Sequence, residues 1–390
     1  MTTRADNVVT PELFDMYRDT EIPHIRNATR NSTAVEQSPM ITAMANGPSY
    51  VFTVPVYDDF VSHDQAQFTP QSTEYGVDTG AINPLTGTDE YGSPYAAGST
   101  TSPSNNIQPR GLSASPEMGF KVFRAFAVET NDLTDKLMGT AQSSGGPSLR
   151  EEAMRKMLRA EMTSENQIVH SIFNGVFNSM ATKYAALGVR DPFTLNPLNL
   201  GNPGVTMSTL FDAEALLGEN FDATGLFVCS SRVHAEMKKQ DLIQYERDST
   251  SNLRIEFYNE RRVIVDNQIA TGADIWHQDA VTLGNAGAGA TNVHQAFLLG
   301  PGFLRYGEAN TIRVAEVRNE LGSGGAGGYT RLLRQENAYH VPYMSFAGSP
   351  NPLNGDATTA GTIQSNGAFT FDETRKAREA VPGVRILFQI

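Results

Sequence analysis

Residues 148–186 read SLREEAMRKMLRAEMTSENQIVHSIFNGVFNSMATKYAA, and this stretch decides the fold class. Ser148 and Glu151 form a capping box, in which a hydroxyl and a carboxylate each satisfy a free amide at a helix start. No proline interrupts the stretch, and apolar residues recur at three- and four-residue steps from Met154 onward. At 1.5 Å per residue, about 35 residues give a helix of roughly 50 Å. A helix this long predicts a spine on which several other elements pack.

Short strands are predicted on both sides of this helix. Residues 49–55 and 118–129 precede it and are rich in β-branched and aromatic side chains, which is typical of strands. The pattern after it predicts strands at Gly225–Cys229, Ile255–Phe257, Arg262–Asp266, Gln295–Leu299 and Phe303–Tyr306, a helix capped by Ser231 and reaching about Tyr245, and a hairpin of Thr311–Leu321 and Tyr329–Pro342. We therefore predict an α+β fold with one unusually long helix.

Two segments are poor in apolar residues. Residues 1–46 form a polar arm that we expect to order only against a neighbouring molecule, because it buries too little apolar area alone. Between Pro70 and Glu117, 28 of 48 residues are Gly, Pro, Ser, Thr or Asn. A structureless loop of that length is rare inside a compact domain. We expect this excursion to be either disordered or held by another subunit.

Charge and composition argue against several functions. The 390 residues include 43 acidic and 30 basic side chains, a net charge of −13. The basic residues are scattered, which argues against affinity for nucleic acid through phosphate contacts. Charged residues make up 19% of the chain, below the roughly 25% of an average globular domain, which suggests that much of its surface faces protein. No apolar run predicts a signal peptide or a membrane span, so we expect synthesis in the cytoplasm.

The residues that could carry chemistry all have a plainer interpretation. Cys229 is the single cysteine, so an intrachain disulfide and a multi-cysteine metal cluster are excluded. At the end of an apolar strand it is more simply a small buried side chain than a nucleophile. His234 and Glu236 have the His-x-Glu spacing of zinc deaminases but lack the required cysteine pair. His277 and His294 have no third ligand at a suitable spacing.

Two further patterns are also interpreted structurally. The adjacent acids Asp58-Asp59 and Asp89-Glu90 point apart in extended chain and cannot form an acid–base dyad. GSGGAGG at 322–328 contains a Gly-x-Gly-x-x-Gly spacing, but a strand pattern follows it instead of a helix, which favours a hairpin tip. We predict no catalytic, cofactor-binding or metal-binding residue and no enzymatic activity.

Three phrases downstream of Gly225 occur in a characteristic order. They are FVCSSRVHAEMKKQDLIQYERDSTSNLRIEFYNERRVIVDNQI at 227–269, HQAFLLGPGFLRYGE at 294–308 and RVAEVRNELGSGGAGGYTRLLRQENAYHVP at 313–342. In this order they resemble the major capsid proteins of tailed double-stranded DNA bacteriophages, which have the HK-97-like fold. From the first phrase to the last they span about a third of the chain, and the order of predicted elements extends the resemblance to most of it.

The resemblance implies a division of the chain and a structural function. The divisions are an N-terminal arm at 1–46, an extended loop with flanking strands at 47–130, a peripheral domain with the spine helix at 131–186, an axial domain at 187–306, a peripheral-domain hairpin at 307–347 and a C-terminal segment at 348–390. The implied function is self-assembly into the hexamers and pentamers of an icosahedral shell that encloses the phage DNA, with assembly in the host cytoplasm and final location in the virion capsid.

The implied partners are other copies of the chain and phage proteins. We expect a separate scaffolding protein, because about 46 residues ahead of the first strand are too few for a further domain beside the arm. A portal protein is expected as well, a cement protein is compatible with the resemblance, and DNA would be enclosed without sequence-specific binding. The alternative function is an encapsulin-type nanocompartment shell, which uses the same fold to enclose cargo enzymes. An enzyme that uses Cys229 and a histidine is a third hypothesis.

Overall fold

The structure is a computed structural model, and thirteen stretches of the chain are described. They are residues 29–57, 114–131, 149–189, 191–195, 205–218, 225–247, 254–270, 293–309, 314–319, 327–347, 363, 367–371 and 381–389. The chain divides into two compact units, the smaller of which comprises Pro55–Pro116 and Asp372–Ala377. Only six residues of the smaller unit are described, at the end of one strand and the beginning of the next. The features that follow belong to the larger unit.

Helices and strands alternate irregularly along the described chain, which confirms the predicted α+β class. The helices are α1 (Pro39–Ala45), α2 (Leu149–Leu187), α3 (Met207–Ala215) and α4 (Ser231–Lys239). The strands are β1 (Val35–Gln37), β2 (Val51–Tyr57), β3 (Ala114–Asn131), β4 (Thr194–Leu195), β5 (Leu226–Cys229), β6 (Gln244–Arg247), β7 (Arg254–Tyr258), β8 (Arg261–Val265), β9 (Val293–Leu299), β10 (Leu304–Glu308), β11 (Val314–Asn319), β12 (Gly328–His340), β13 (Ser345–Phe346), β14 (Phe369–Thr370) and β15 (Gly383–Gln389). None of the described helices is both long enough and apolar enough to cross a membrane.

The long helix α2 packs against two sheets, as a spine should. The first sheet has the strand order β1-β10-β12-β3-β2, with β11 also paired to β12. The second has the order β4-β15-β9-β5-β8-β7-β6. The first turns of α2 place Met154, Met157 and Leu158 against Leu333 of the first sheet. The remainder of α2 lies in the main core, where side chains of both sheets surround it.

The second sheet is buried on both faces, and strand β5 shows why its sequence is apolar throughout. Leu226 and Val228 belong to the core around α2. Phe227 and Cys229 point to the opposite face and pack in a second core, which α3 and α4 complete. A strand that is covered on both faces needs a continuous apolar run instead of an alternating one.

Residues 29–46 pack on their own chain, so the prediction that the whole arm orders only against a neighbour is wrong for this part. β1 pairs in parallel with β10, and Ala34 and Ile41 are fully buried. α1 approaches the first sheet so closely that a Cβ atom at Gly307 would overlap the α1 backbone. Main-chain pairing and a few well-placed apolar residues therefore replace the large apolar area that the segment lacks.

The helix predicted from Ser231 to about Tyr245 is shorter than expected. Its N-cap is Ser230, whose hydroxyl accepts a hydrogen bond from the amide of Val233 at 3.4 Å. The helix ends at Lys239, and Asp241 takes a left-handed conformation with φ of 56°. The amide of Leu242 then donates to the carbonyl of Met237, a pattern that closes a helix C-terminus. Tyr245 belongs instead to β6.

The predicted hairpin is confirmed, and two of the other predicted strands form a second one. β7 and β8 pair antiparallel across the two-residue turn Asn259-Glu260, whose φ values of 44° and 67° match the type I′ turn that suits the twist of a hairpin. β11 and β12 pair antiparallel along six residue pairs. The glycine-rich tip between them lies outside the described residues except at Gly327 and Gly328.

Gly175 offers a test of the packing around α2. Alanine in a helix interior is normally more stable than glycine by about 0.5–1 kcal/mol. We expect the opposite sign for Gly175→Ala, because its methyl group would overlap the carbonyl oxygen of Ile363, and overpacking costs about 1–3 kcal/mol. Urea unfolding measures the difference. Thr163→Ala, at a half-buried position of the same helix, serves as the control and should leave the stability nearly unchanged. A Gly175→Ala subunit that is more stable than the parent would show that Ile363 does not pack tightly against α2.

Candidate functional site: the polar seam of the long helix

Four polar side chains form a buried line along α2. Asn166, His170, Asn174 and Asn178 lie four residues apart, so they share one face of the helix. All four are buried. We call these four residues the polar seam. Because buried polar groups are costly unless they are hydrogen-bonded, the partners of the seam determine how α2 sits.

The first two seam residues meet at the carboxylate of Asp266, directly after β8. Its Oδ2 atom accepts hydrogen bonds from Asn166 Nδ2 at 2.8 Å and from Thr29 Oγ1 at 2.8 Å. His170 Nε2 lies 2.9 Å from the same oxygen, a distance at which the ring N–H donates to the carboxylate. One buried carboxylate therefore joins the N-terminal segment, the long helix and the second sheet.

The other two seam residues meet strands β9 and β15. Asn174 Oδ1 accepts a hydrogen bond from Gln295 Nε2 at 2.9 Å. Asn178 Oδ1 accepts one from the guanidinium of Arg385, which is fully buried and lies 6.0 Å from the ring centroid of Phe177. The seam thus meets the second sheet at three of its strands, at the end of β8 and along β9 and β15, and fixes the rotation of α2 about its own axis.

Arg30 connects the same stretch of α2 to the first sheet. Its Nε atom lies 3.1 Å from Glu165 Oε2, and its Nη2 atom lies 3.0 Å from Glu308 Oε1 on β10. Its guanidinium also lies 4.6 Å from the ring centroid of Tyr306. Burial opposes the charge of Arg30, but Glu165, Tyr306, Glu308 and Tyr339 together outweigh it, and the pKa of Arg30 is raised. The N-terminal segment is therefore bound to both sheets through polar contacts.

A C-terminal segment lies along α2 on another side. The hydroxyl of Ser179 accepts hydrogen bonds from the amides of Gly367 and Phe369, both at 3.1 Å. Lys183 Nζ donates to the carbonyl of Phe371 at 2.8 Å. Together with the close approach of Ile363 at Gly175, these contacts recur at four-residue steps and hold Ile363 and residues 367–371 against the helix.

The structure places Cys229 and His234 in ordinary structural roles. Cys229 is fully buried in β5, and burial raises the pKa of its thiol far above the usual range, which disfavours the reactive thiolate. His234 does not pair with Glu236; its Nε2 atom meets Glu256, which also binds Lys238 Nζ at 2.8 Å. Burial opposes ionisation of Glu256, but hydrogen bonds from Lys238 and His234 prevail and lower its pKa.

Most of the remaining candidates from the sequence lie outside the described residues. His294 lies on β9, where burial, aided by the charge of Arg232, lowers its pKa. Asp58, Asp59, Asp89, Glu90, His277, Gly322 and Gly324 lie outside the described residues. Within the described stretches, no group of three His, Cys, Asp or Glu side chains is arranged to hold a metal ion. The absence of catalytic and ligand-binding residues stays a prediction.

Comparison with known proteins relates the chain to phage capsids. No protein-family model matches it. It is 23% identical over 334 residues to the major capsid protein of Bacillus phage SPP1, covering 82% of this chain and 81% of that protein. Among solved structures, it is similar to the capsid of cyanophage Pam1, with 12% identity, coverage of 93% and 92% of the two chains and a TM-score of 0.47. It is also similar to the head of Helicobacter pylori bacteriophage KHP40, with 8% identity, coverage of 91% and 86% and a TM-score of 0.44.

A further similar structure is the holo-SrpI encapsulin complex from Synechococcus elongatus PCC 7942, with 11% identity, coverage of 59% of this chain and 74% of that chain and a TM-score of 0.38. The capsid relative covers far more of the chain than the three phrases that carry the resemblance. The predicted resemblance to phage major capsid proteins is therefore confirmed.

Asp266→Ala tests the importance of the seam for the fold. Removal of the carboxylate would leave Thr29, Asn166 and His170 buried without the oxygen that they share. Each buried donor left unsatisfied costs about 1–3 kcal/mol, so the loss of their shared acceptor is a large part of the stability of a domain. Urea unfolding of the subunit should show this loss, whereas Asp212→Ala, at an exposed position of α3, should change stability by less than about 0.5 kcal/mol. Equal midpoints for the two variants would contradict the role given to Asp266.

Proposed function

We propose that this chain, a phage major capsid protein with the HK-97-like fold, is the structural subunit of an icosahedral shell that encloses double-stranded DNA. The observation that carries the proposal is the relationship to a phage major capsid protein across 82% of the chain. The order of elements agrees with it, since a long helix lies beside a long-stranded sheet and a second sheet follows. Cys229 is buried, His234 is bound to Glu256, and the seam residues are buried and hydrogen-bonded, which supports a structural role over catalysis.

An uncovered face of the first sheet supports contact with other copies. Along β3, Phe123, Ala125 and Ala127 point to the same side and are exposed. Val317 on β11, across β12 from β3, is 61% exposed. α1 covers the part of the sheet near Lys121 and leaves this part open. An apolar sheet face of this kind is what a subunit that buries its surface in an assembly would present.

The finer features of the assembly belong to the same proposal. The subunits would form hexamers and pentamers, in the host cytoplasm and without enzymatic activity. A scaffolding protein would guide one chain into both kinds of ring, a portal protein would admit the DNA, and a cement protein would add contacts outside. The division into arm, extended loop, peripheral domain and axial domain at the boundaries given above is also proposed.

The lysines of the chain favour a shell without covalent links. Some shells of the HK-97-like fold are joined by an isopeptide bond from a lysine of the extended loop, and this chain has no lysine between residues 49 and 117. The next lysine, Lys121, is buried and occupied within its own chain: Nζ donates to the carbonyl of Ala45 at 2.6 Å and to that of Gly47, and lies 3.7 Å from Glu336. Burial lowers the pKa of Lys121 although Glu336 opposes the change.

Denatured shells should therefore dissociate completely. When boiled in detergent, they are expected to give one band near 42.4 kDa, with or without reducing agent, because neither an accessible loop lysine nor an accessible thiol is present to link copies. Lys121→Met serves as the control and should leave the gel pattern unchanged. A ladder of covalent oligomers would contradict noncovalent assembly, and its loss in Lys121→Met would identify the linking amine.

Electron microscopy tests the function itself. We expect the chain expressed alone to form irregular particles or none, and the chain co-expressed with a scaffolding protein from the same genome to form uniform icosahedral shells. Identical subunits that occupy fivefold and sixfold positions need a second component to select one curvature. Particles that enclose a cargo enzyme instead of DNA would support the encapsulin-type alternative. Failure to form closed particles under all co-expression conditions would contradict the proposed function.

A further inference from the structure

A buried histidine–carboxylate pair lies where β12 ends beside β3. His340 Nε2 is 3.0 Å from Glu117 Oε2, and both side chains are almost completely buried. The same oxygen of Glu117 accepts a hydrogen bond from the amide of Tyr343 at 3.0 Å. The next amide along β3, that of Met118, donates to Ser345 Oγ at 3.2 Å. One carboxylate therefore fastens both the end of β12 and the turn that follows it to β3.

The turn that Glu117 holds is strained. A hydrogen bond from the amide of Met344 to the carbonyl of Val341, at 3.1 Å, closes the turn over residues 341–344. Tyr343, the third residue of this turn, has a positive φ of 66°. A positive φ at that position belongs to a type II turn and favours glycine or asparagine. A tyrosine persists there only because surrounding contacts hold it, and the bond from its amide to Glu117 is such a contact.

The turn directs the chain into β13, which binds a segment from the C-terminal part of the chain. Ser345 and Phe346 of β13 pair antiparallel with β14, and the amide of Ala347 donates to the carbonyl of Ala368 at 2.8 Å. The ring centroid of Phe346 lies 4.3 Å from that of Phe120 on β3 and 5.5 Å from that of Phe369 on β14. A change in the turn therefore reaches β14, which lies against the long helix.

The charged groups around His340 act in opposite directions. Glu117 favours a positive charge on the ring, whereas Arg305 on β10, directly opposite His340 in the sheet, disfavours one. Glu36 on β1 lies opposite Arg305, with Oε2 at 3.8 Å from Arg305 Nε, but both side chains are largely exposed and water screens them. Helix α1, which packs on β10 and β12, carries no titratable side chain. Further along β3 and β12, Lys121 and Glu336 lie 3.7 Å apart in a pair of their own.

The ring of His340 is held in its neutral form. Its buried Nδ1 atom finds no hydrogen-bond partner among the described residues, so a proton added there would be charged and unsatisfied. Burial, aided by the charge of Arg305, lowers the pKa of His340 to about 4 from the ordinary value of 6.5. A ring released into water would take up its proton near pH 6.5. The hold on the turn is therefore complete above about pH 6.5 and weakens as the pH falls towards about 4.

We propose that His340, Glu117 and the 341–344 turn form a pH-sensitive latch, which holds β13 and β14 in place at neutral pH and releases them in weak acid. The latch belongs to the folded subunit, so it would operate whether or not the subunit assembles into a shell. Once the turn opens, the amides of β13 and β14 exchange with water. Strand β5, in the interior of the second sheet, keeps its pairing with β8 and β9.

Hydrogen–deuterium exchange of the purified subunit tests the latch at about pH 7.5 and about pH 5, with rates corrected for the intrinsic effect of pH on amide exchange. We expect the protection of residues 345–347 and 367–371 to fall about tenfold or more at the lower pH. The protection of Leu226–Cys229 in β5 should change by less than about twofold. A smaller fall beyond the turn, or an equal fall in β5, overturns the inference.

Three variants identify the groups that form the latch. His340→Gln keeps an amide donor for Glu117 and does not titrate, so it should keep the protection seen at neutral pH and lose the pH dependence. His234→Gln, the same substitution at the histidine bound to Glu256, is the matched control and should respond to pH as the parent does. Glu117→Gln replaces a charged acceptor with a neutral one and should lower the protection of residues 345–347 already at neutral pH.

Each variant can contradict the latch. A His340→Gln subunit with the pH dependence of the parent overturns the inference, and so does loss of that dependence in His234→Gln. If His340→Gln does not fold, Glu117→Gln and the parent decide the question. Full protection of residues 345–347 in Glu117→Gln at neutral pH would show that the carboxylate does not hold the turn.

Discussion

The carboxylate of Asp266 holds three distant parts of the chain at one point. Thr29 comes from the N-terminal segment, Asn166 and His170 come from the long helix, and Asp266 itself ends a strand of the second sheet. Apolar packing alone tolerates small rotations and shifts of a helix, since hydrophobic contacts have little directional preference. Hydrogen bonds to a buried carboxylate do not tolerate them, because a shift leaves charged and polar groups unsatisfied. The seam therefore selects one orientation of α2, and both sheets are positioned by that choice.

The local part of this architecture could be predicted from the sequence, and the seam could not. The bounds of α2 follow from a capping box and from periodicity within a few turns, so the predicted 148–186 differs from the observed helix by one residue at each end. The partners of the seam are far away in sequence: Thr29 and Asp266 are 237 residues apart, and Asn166 and Asp266 are 100 apart. The four-residue spacing of the seam is visible in the sequence, but the same spacing is typical of a solvated helix face. Only the position of the second sheet shows that this face of the helix is buried and not solvated.

The two errors in the predicted fold have separate physical causes. The interpretation of residues 29–46 considered apolar area alone, whereas β1 gains main-chain hydrogen bonds from β10 and Arg30 gains two carboxylates. Neither the main-chain pairing nor the ion pairs can be predicted from the amino-acid composition of the segment. The helix from Ser231 was extended too far because no proline or glycine interrupts residues 231–245. The helix ends where Asp241 takes a left-handed conformation. Aspartate adopts that conformation only in a minority of cases, so the presence of an aspartate does not predict the helix end.

Lys121 and Lys156 differ in burial, and this difference determines whether each one contributes to folding or to assembly. Lys121 is buried, and its ammonium group binds carbonyl oxygens at the C-terminal end of α1, where the helix dipole also favours a cation. Its hydrogen-bonding capacity is used within the subunit, so it can contribute little to a neighbour. Lys156 is largely exposed and has one loose contact at 4.0 Å, so its attraction is screened by water in the free subunit. Such a cation gains interaction energy when a partner of opposite charge displaces that water. A lysine that is bound inside the subunit therefore contributes to the fold, whereas an exposed lysine stays available for contacts with other copies.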